Sequence, residues 1–322
     1  MKIFTLHYTL QPGPDPARAA RGPRRGALLR VEFDDESIGF ADLHPWTEFG
    51  QVPLEEQLAS LRSNQPTLLA NLALRHARTD AAARRAGLSL FDGLPEVRSH
   101  ALFTNWTNAP RTAFELCVAE SYSAIKLKIG RDPAREAVAL NQLADLPLRW
   151  RLDANASPGT ESFVAQLAPA TRTKIEFLED PMPYEPSAWT TLASREKIPL
   201  ALDWQLPNSP APWPGAEFLV IKPASQDAFT LALDAAKSGI KMIVTHSMDH
   251  PLGQAVALWT ARRLRQRHGE LICHGGLQAI GLYQSDAYSE QLQTRGPLSL
   301  NPPGTGFGFD DQLAKEHWTK LG

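Results

Sequence analysis

Five short apolar runs in the middle of this chain each end in a charged residue, and the spacing of those ends constrains the fold more than any other feature. Lys126-Leu127-Lys128 closes the first run, Asp153 the second, Glu179 the third, Asp203 the fourth and Lys222 the fifth; counted from Lys128 the intervals are 25, 26, 24 and 19 residues. A strand, a helix and two loops consume about that many residues in a (β/α)8 barrel, whose active sites lie on the face where the C-terminal strand ends converge. The spacing therefore predicts an α/β chain folded as a TIM-type (β/α) barrel of seven or eight strands. Three carboxylates and two or three lysines would meet at its mouth.

Such a group of charges has few chemical uses. Three carboxylates cannot stay ionised in a small, partly buried volume unless a strong cation neutralises them, and a hard divalent ion with oxygen ligands does so. Magnesium is the expected ion, with manganese as its substitute. Lysines beside the metal are the expected acid/base groups, because burial and a nearby cation lower an ammonium pKa. On a strand, Lys126 and Lys128 point to one face and Leu127 and Ile129 to the other, so in a closed barrel both lysines face the interior. A single Asp or Glu at a strand end is ordinarily a helix N-cap. Recurrence on three successive units, flanked by lysines, is hard to produce by capping alone. Asn155 shares the face of Asp153. His246, His250 and His274 fall at or beyond strand ends and read as hydrogen-bonded loop residues, and Cys273 as a small core residue.

The flanking segments organise around this barrel. Residues 1–98 read as an α+β capping domain: ALLRVEF and IGFADL alternate about the turn DDES, and helical patterns follow in LEEQLASLRSN and from Thr67 to Ala86, with a stop at Gly87. A loop at about residues 11–26, rich in Pro, Gly and Arg, is the candidate for a mobile cover over the substrate. Residues 99–280 hold eight strand-like runs, HALFTNW, AIKLKI, LRWRLDA, KIEFLE, IPLALD, EFLVIK, KMIVTH and ELICHG, alternating with helical segments. Residues 281–322 form a Pro- and Gly-rich tail expected to pack back on the capping domain.

Composition narrows the partners. With 33 basic and 35 acidic residues interspersed and a net charge of −2, the chain carries no electrostatic footprint for nucleic acid or an anionic membrane. No apolar stretch reaches the spanning length of roughly 20 residues, and the start MKIFTLHYTLQPG lacks the pattern of a signal peptide. Two distant cysteines, Cys117 and Cys273, suggest neither a disulfide framework nor a zinc site and fit a reducing cytoplasm. The expected partner is a small-molecule carboxylate substrate; monomer and homo-oligomer both stay open.

The Lys-x-Lys pair, RLDANAS, EFLEDP, ALDWQL and FLVIKP together resemble the enolase superfamily in its muconate-lactonizing-type subgroup, and within it the o-succinylbenzoate synthase family. GFADLHPWTEFG (39–50) is similar to the family's segment after the mobile loop, and HSMDHPLG (246–253) to its seventh-strand loop. The resemblance implies that Asp153, Glu179 and Asp203 bind magnesium and that Lys128 is the acid/base, with Lys126 beside it. Lys222 would face the substrate from the opposite side. It further implies a carbon–oxygen lyase that dehydrates a cyclohexadiene carboxylate through an enediolate in menaquinone biosynthesis. Two lysines flanking one α-carbon also suit a racemase of N-acylamino acids or a dipeptide epimerase. However, the Asp-x-Asp by which epimerases hold an ammonium group is absent from CHGGLQAIG. A non-catalytic metal-binding barrel is a third reading. The chain departs from the subgroup at Trp204 and Gln205, where relatives commonly place Glu and Ser after the third ligand.

Overall fold

The computed structural model describes residues 1–14, 22–204, 206, 211–278 and 282–322. Strands β1 (Lys2–Leu10), β2 (Arg24–Glu32) and β3 (Ile38–Leu43) form an antiparallel sheet, and β1 also pairs with the strand Thr319–Lys320 of the tail. The central strand β2 is buried on both faces. Leu29 and Val31 pack on helices α1 (Leu54–Arg62) and α2 (Leu68–Arg85), whereas Leu28 joins the core shared with the barrel. Helix α2 starts at Thr67, whose hydroxyl accepts the Ala70 N–H at 3.2 Å, and its apolar stripe lies flat on β3. That approach depends on Gly39: a Cβ there would stand 1.9 Å from the Ala77 carbonyl oxygen. The loop expected at residues 11–26 is shorter than the sequence suggested. Arg24, Arg25 and Gly26 continue the ladder of β2 opposite β1, Gly13 donates to the Leu282 carbonyl at 3.0 Å, and the remainder of that reading, residues 15–21, lies outside the described residues.

Seven parallel strands follow: β4 (Ala101–Phe103), β5 (Ala124–Lys128), β6 (Arg149–Asp153), β7 (Ile175–Glu179), β8 (Leu200–Leu202), β9 (Phe218–Ile221) and β10 (Lys241–Val244), each paired with its neighbours in sequence. The eighth run, ELICHG, is not a continuous strand. It crosses the remaining gap by single bridges, Ile272 to Met242, Gly276 to Thr245 and Gly275 to Ser99. The Cys273 and Gly276 amides donate to β10, and His100 donates to Gly275 on the β4 side. The first run is shorter than read, since Trp106 belongs to a 3-10 turn. Helices α3 (Arg111–Ala119), α4 (Pro133–Asn141), α5 (Thr160–Ala165), α6 (Pro169–Arg172), α7 (Pro186–Glu196), α8 (Ala228–Lys237) and α9 (Pro251–His268) connect the strands on the outside. Between β8 and β9 no α-helix occurs among the described residues, which accounts for the short 19-residue interval from Asp203 to Lys222. No helix among the described residues is long and apolar enough to cross a membrane.

The two domains meet through polar contacts as well as through Leu28. Trp46 donates its indole N–H to the Ser247 carbonyl at 2.8 Å, and the His250 amide donates to Asp42 at 3.1 Å. Asp42 of β3 and Asp249 of the loop after β10 both crowd Gly253, where a Cβ would stand 2.7 and 2.6 Å from their respective oxygens. Asp42 accepts from Tyr8 at 2.6 Å, whereas His246 Nδ1 stands 3.9 Å from Asp249 Oδ1. Burial drives both carboxyls upward, Asp42 to about 7 and Asp249 well above the usual range, with Asp42 adding repulsion at Asp249. Because both hold their protons more tightly folded than unfolded, the contact is stabilising at low pH and loses that contribution as pH rises through about 7. The melting temperature is therefore expected to fall between pH 6 and pH 8 by more in the wild type than in Asp249→Asn, a difference on the order of a few °C. Parallel melting curves for the two proteins would refute it.

Candidate metal centre and active site

The register of the parallel sheet assembles the charged strand ends. Lys128 of β5 lies opposite Asp153 of β6, and Asp153 opposite Glu179 of β7; Asp203 and Lys222 each follow the last residue of β8 and β9. The helix-capping carboxylates are other residues. Asp132, Glu185 and Asp227 accept the first free N–H groups of α4, α7 and α8, which leaves Asp153, Glu179 and Asp203 turned into the barrel mouth and buried. In the ring of seven strands plus the 272–276 run, β5 and β9 stand four places apart in either direction. Lys128 and Lys222 therefore enter the mouth from opposite walls, with the three carboxylate strands between them on one side.

Lys126 bridges two acids, 2.6 Å from Glu179 Oε1 and 3.0 Å from Asp153 Oδ2. Lys128 Nζ lies 2.7 Å from the same Asp153 oxygen, Asn155 donates to Asp153 Oδ1 at 2.7 Å, and Lys222 pairs with Asp203. Against the cost of burial, Asp153, Glu179 and Asp203 hold the Lys126 ammonium above its ordinary range. Burial likewise opposes ionisation of Asp153, but Lys126 and Lys128 outweigh it and lower its pKa. Lys222 and Lys126 do the same for Asp203. Glu179 moves the other way, pushed well upward by burial and then by Asp153.

One acid escaped the sequence reading. Glu179, Asp180 and Asp203 each present an oxygen within 4.8 Å of the others, so the tight trio contains Asp180 where Asp153 was expected. The physical reason is the competition for Asp153: two ammonium groups and the Asn155 amide occupy its oxygens. Burial and Asp203 raise Asp180 to about 7. The only signal for it was the second acid in EFLEDP, directly after the strand-end Glu179.

Four carboxylates thus face three ammonium groups, and Glu179 Oε2 is buried without a donor. An oxygen-rich cluster with an orphaned carboxylate oxygen fits a hard divalent cation, whose charge would let Glu179 and Asp180 ionise. For Asp153 to join Glu179 and Asp203 around such a cation, the cation would have to displace Lys126 and Lys128 from its carboxylate.

Beneath this ring the barrel interior is divided. Phe177, Ala201, Phe218, Val220, Ile243 and Cys273 fill one part with apolar side chains. On the other, Arg151, fully buried, donates to both Glu176 oxygens at 2.9 and 3.0 Å and to the His274 carbonyl at 2.6 Å, with His100 Nδ1 at 2.9 Å. Arg151 also went unread, although it shares the inward face of Asp153 two residues on. The loop histidines are hydrogen-bonded: His246 accepts the Met248 amide, His250 caps α9, and His274 meets Ser123 at 3.3 Å. On the cap side, the Arg24 guanidinium stacks 3.6 Å over Trp46 and grips both Glu48 oxygens, while Phe49 stays exposed.

Comparison with known proteins places these features. Residues 3–83 match the family model described as O-succinylbenzoate synthase, N-terminal domain. An o-succinylbenzoate synthase of Bdellovibrio bacteriovorus is 36% identical over 331 aligned residues, covering 100% of this chain and 99% of the relative. In structure, a mandelate racemase/muconate lactonizing-type protein from Roseovarius nubinhibens, complexed with magnesium, aligns with a TM-score of 0.74 and 18% identity over 96% of each chain. The L-Ala-D/L-Glu epimerase from Bacillus subtilis aligns with a TM-score of 0.73 and 16% identity, over 96% of this chain and 98% of the epimerase. At those identities the structural likeness speaks for the fold; the full-length sequence relationship speaks for more. The chain belongs to the o-succinylbenzoate synthase family.

Proposed function

We propose that the protein is a magnesium-dependent carbon–oxygen lyase that dehydrates 2-succinyl-6-hydroxy-2,4-cyclohexadiene-1-carboxylate to o-succinylbenzoate in menaquinone biosynthesis. The observation that carries this reading is the full-length relationship to the Bdellovibrio bacteriovorus synthase together with Lys128 at the mouth beside the carboxylate ring. When bound, magnesium, or manganese in its place, supplies a Lewis acid for the negative charge that develops on the substrate carboxylate. Lys128, as the neutral amine, takes the proton α to that carboxylate. The ammonium so formed returns a proton to the departing hydroxyl, so the C–H and C–O bonds break and water leaves. Lys126, pinned between Asp153 and Glu179, stays cationic and sets the field of the site. Lys222 stays an ammonium on the opposite wall and stabilises the carbanionic ring from its other face.

A second reading is racemisation or epimerisation. It is favoured by the placement of Lys128 and Lys222 on opposite walls, the arrangement that 1,1-proton transfer by two bases requires, and by the shared fold of the Bacillus subtilis epimerase. The two readings separate in one experiment, in which the metal-loaded protein is offered the cyclohexadiene carboxylate and, in parallel, N-succinylamino acids and dipeptides in deuterium oxide. Dehydration of the first, with slow or absent deuterium incorporation into the others, is the expected result. Deuterium incorporation with racemisation at a rate matching dehydration would defeat the exclusive synthase reading.

A further inference from the structure

Asp180 has no part in the chemistry described above, yet it ties three segments of the ring together. Its amide donates to the Ala201 carbonyl at 2.9 Å, and its own carbonyl accepts the Ala156 amide at 2.7 Å. Its carboxylate takes two further main-chain donors: Oδ1 accepts the Asp203 N–H at 3.0 Å and Oδ2 the Trp204 N–H at 3.1 Å. One residue therefore fastens the segment after Asp153, the end of β7 and the segment carrying Asp203. It does so from a left-handed backbone conformation, φ 42, which a residue other than glycine keeps only where its surroundings over-determine it.

Resting on the reading of Asp153, Glu179 and Asp203 as ligands of a divalent cation, we infer that Asp180 is the positioning residue of the metal centre. It sets the orientation of Asp203 through the main chain. Asp203 lies beyond the end of β8, so the strand ladder does not hold it, and Trp204 beside it is 43% exposed. Both N–H groups of this segment end on Asp180. Two separate donors need two acceptor oxygens, which a carboxylate has and an amide lacks: in Asn one oxygen becomes an NH2 that meets an N–H head-on. Each oxygen of Asp180 accepts one of these main-chain N–H groups, whereas Oε2 of Glu179 has no donor.

The test is a titration of full-length protein with Mn2+, following the free ion by electron paramagnetic resonance, for the wild type, Asp180→Asn, Asp180→Gly and Asp203→Asn. Glycine relieves the left-handed strain while deleting the carboxylate, so it preserves the fold should the asparagine variant fail to fold. Both Asp180 variants are expected to bind Mn2+ about 10- to 100-fold more weakly. Faster deuterium exchange at the Asp203 and Trp204 amides is expected to accompany the loss, with the melting temperature without added metal little changed. Wild-type Mn2+ affinity in Asp180→Gly, alongside loss in Asp203→Asn, would overturn the positioning role and leave the metal reading intact. Wild-type affinity in Asp203→Asn would instead overturn the metal reading on which the inference rests.

Discussion

Replacing Lys128 by alanine is expected to lower turnover by about 10^2- to 10^4-fold, the range a positioned general acid/base supplies. Lys128 differs from its neighbour two residues earlier in what holds it. Lys126 is clamped between Asp153 and Glu179 with its side chain 11% exposed, whereas Lys128 has the single partner Asp153 and a side chain 30% exposed. Only the second can leave its partner and reach a substrate. Lys128 is not a ligand, so metal affinity is expected to survive. Removing an ammonium from 2.7 Å beside Asp153 also removes a competitor for that carboxylate, and Mn2+ should bind at least as tightly as in the wild type. Single-turnover dehydration and a Mn2+ titration on the same preparation check both halves. Undiminished turnover in Lys128→Ala would remove this lysine from the chemistry.

The Glu179→Gln variant should show the opposite pattern: the metal is lost and the protein without added metal is no less stable. Glu179 is fully buried, one of its oxygens has no donor, and burial together with Asp153 already disfavours its charge. Glutamine keeps an oxygen for Lys126 and removes the desolvated charge, so the melting temperature in EDTA is expected to hold or rise. The stabilisation by metal, about 2.7 kcal/mol at a hundredfold excess over the dissociation constant, should vanish. Turnover should fall by more than about a hundredfold, because a Lewis acid worth several kcal/mol of transition-state stabilisation goes with it. Thermal melts with and without Mg2+ give the stability half of the result. A metal-dependent rise in Glu179→Gln equal to that of the wild type would exclude Glu179 as a ligand.

Residues whose surroundings interrupt a pattern were the legible ones. Lys126, Lys128, Asp153, Glu179, Asp203 and Lys222 stand out because each ends or interrupts an apolar run that a two-sided barrel strand requires, and all are found on successive strand ends. The β2–β3 hairpin and α2 were readable for the same reason, since their alternation and helical stripe reflect burial. What was missed depends on pairing between distant segments. The ELICHG run closes the barrel with isolated bridges, so its composition promised more strand than its hydrogen bonds deliver. Asp180 carries its meaning in the main chain of residues 203 and 204, and Arg151 in a salt bridge to the next strand. The Asp42 and Asp249 pair is split between two domains 207 residues apart in the chain, and no local pattern announces it.

Anomalous diffraction from crystals of this protein soaked in Mn2+ locates the metal by its own scattering. One strong peak is expected at the barrel mouth between the carboxylates of Asp153, Glu179 and Asp203, with Lys128 released from Asp153 and turned toward the open mouth. Saturating Mn2+ with no peak at that position, and Lys126 and Lys128 still paired with the carboxylates, would contradict this metal site.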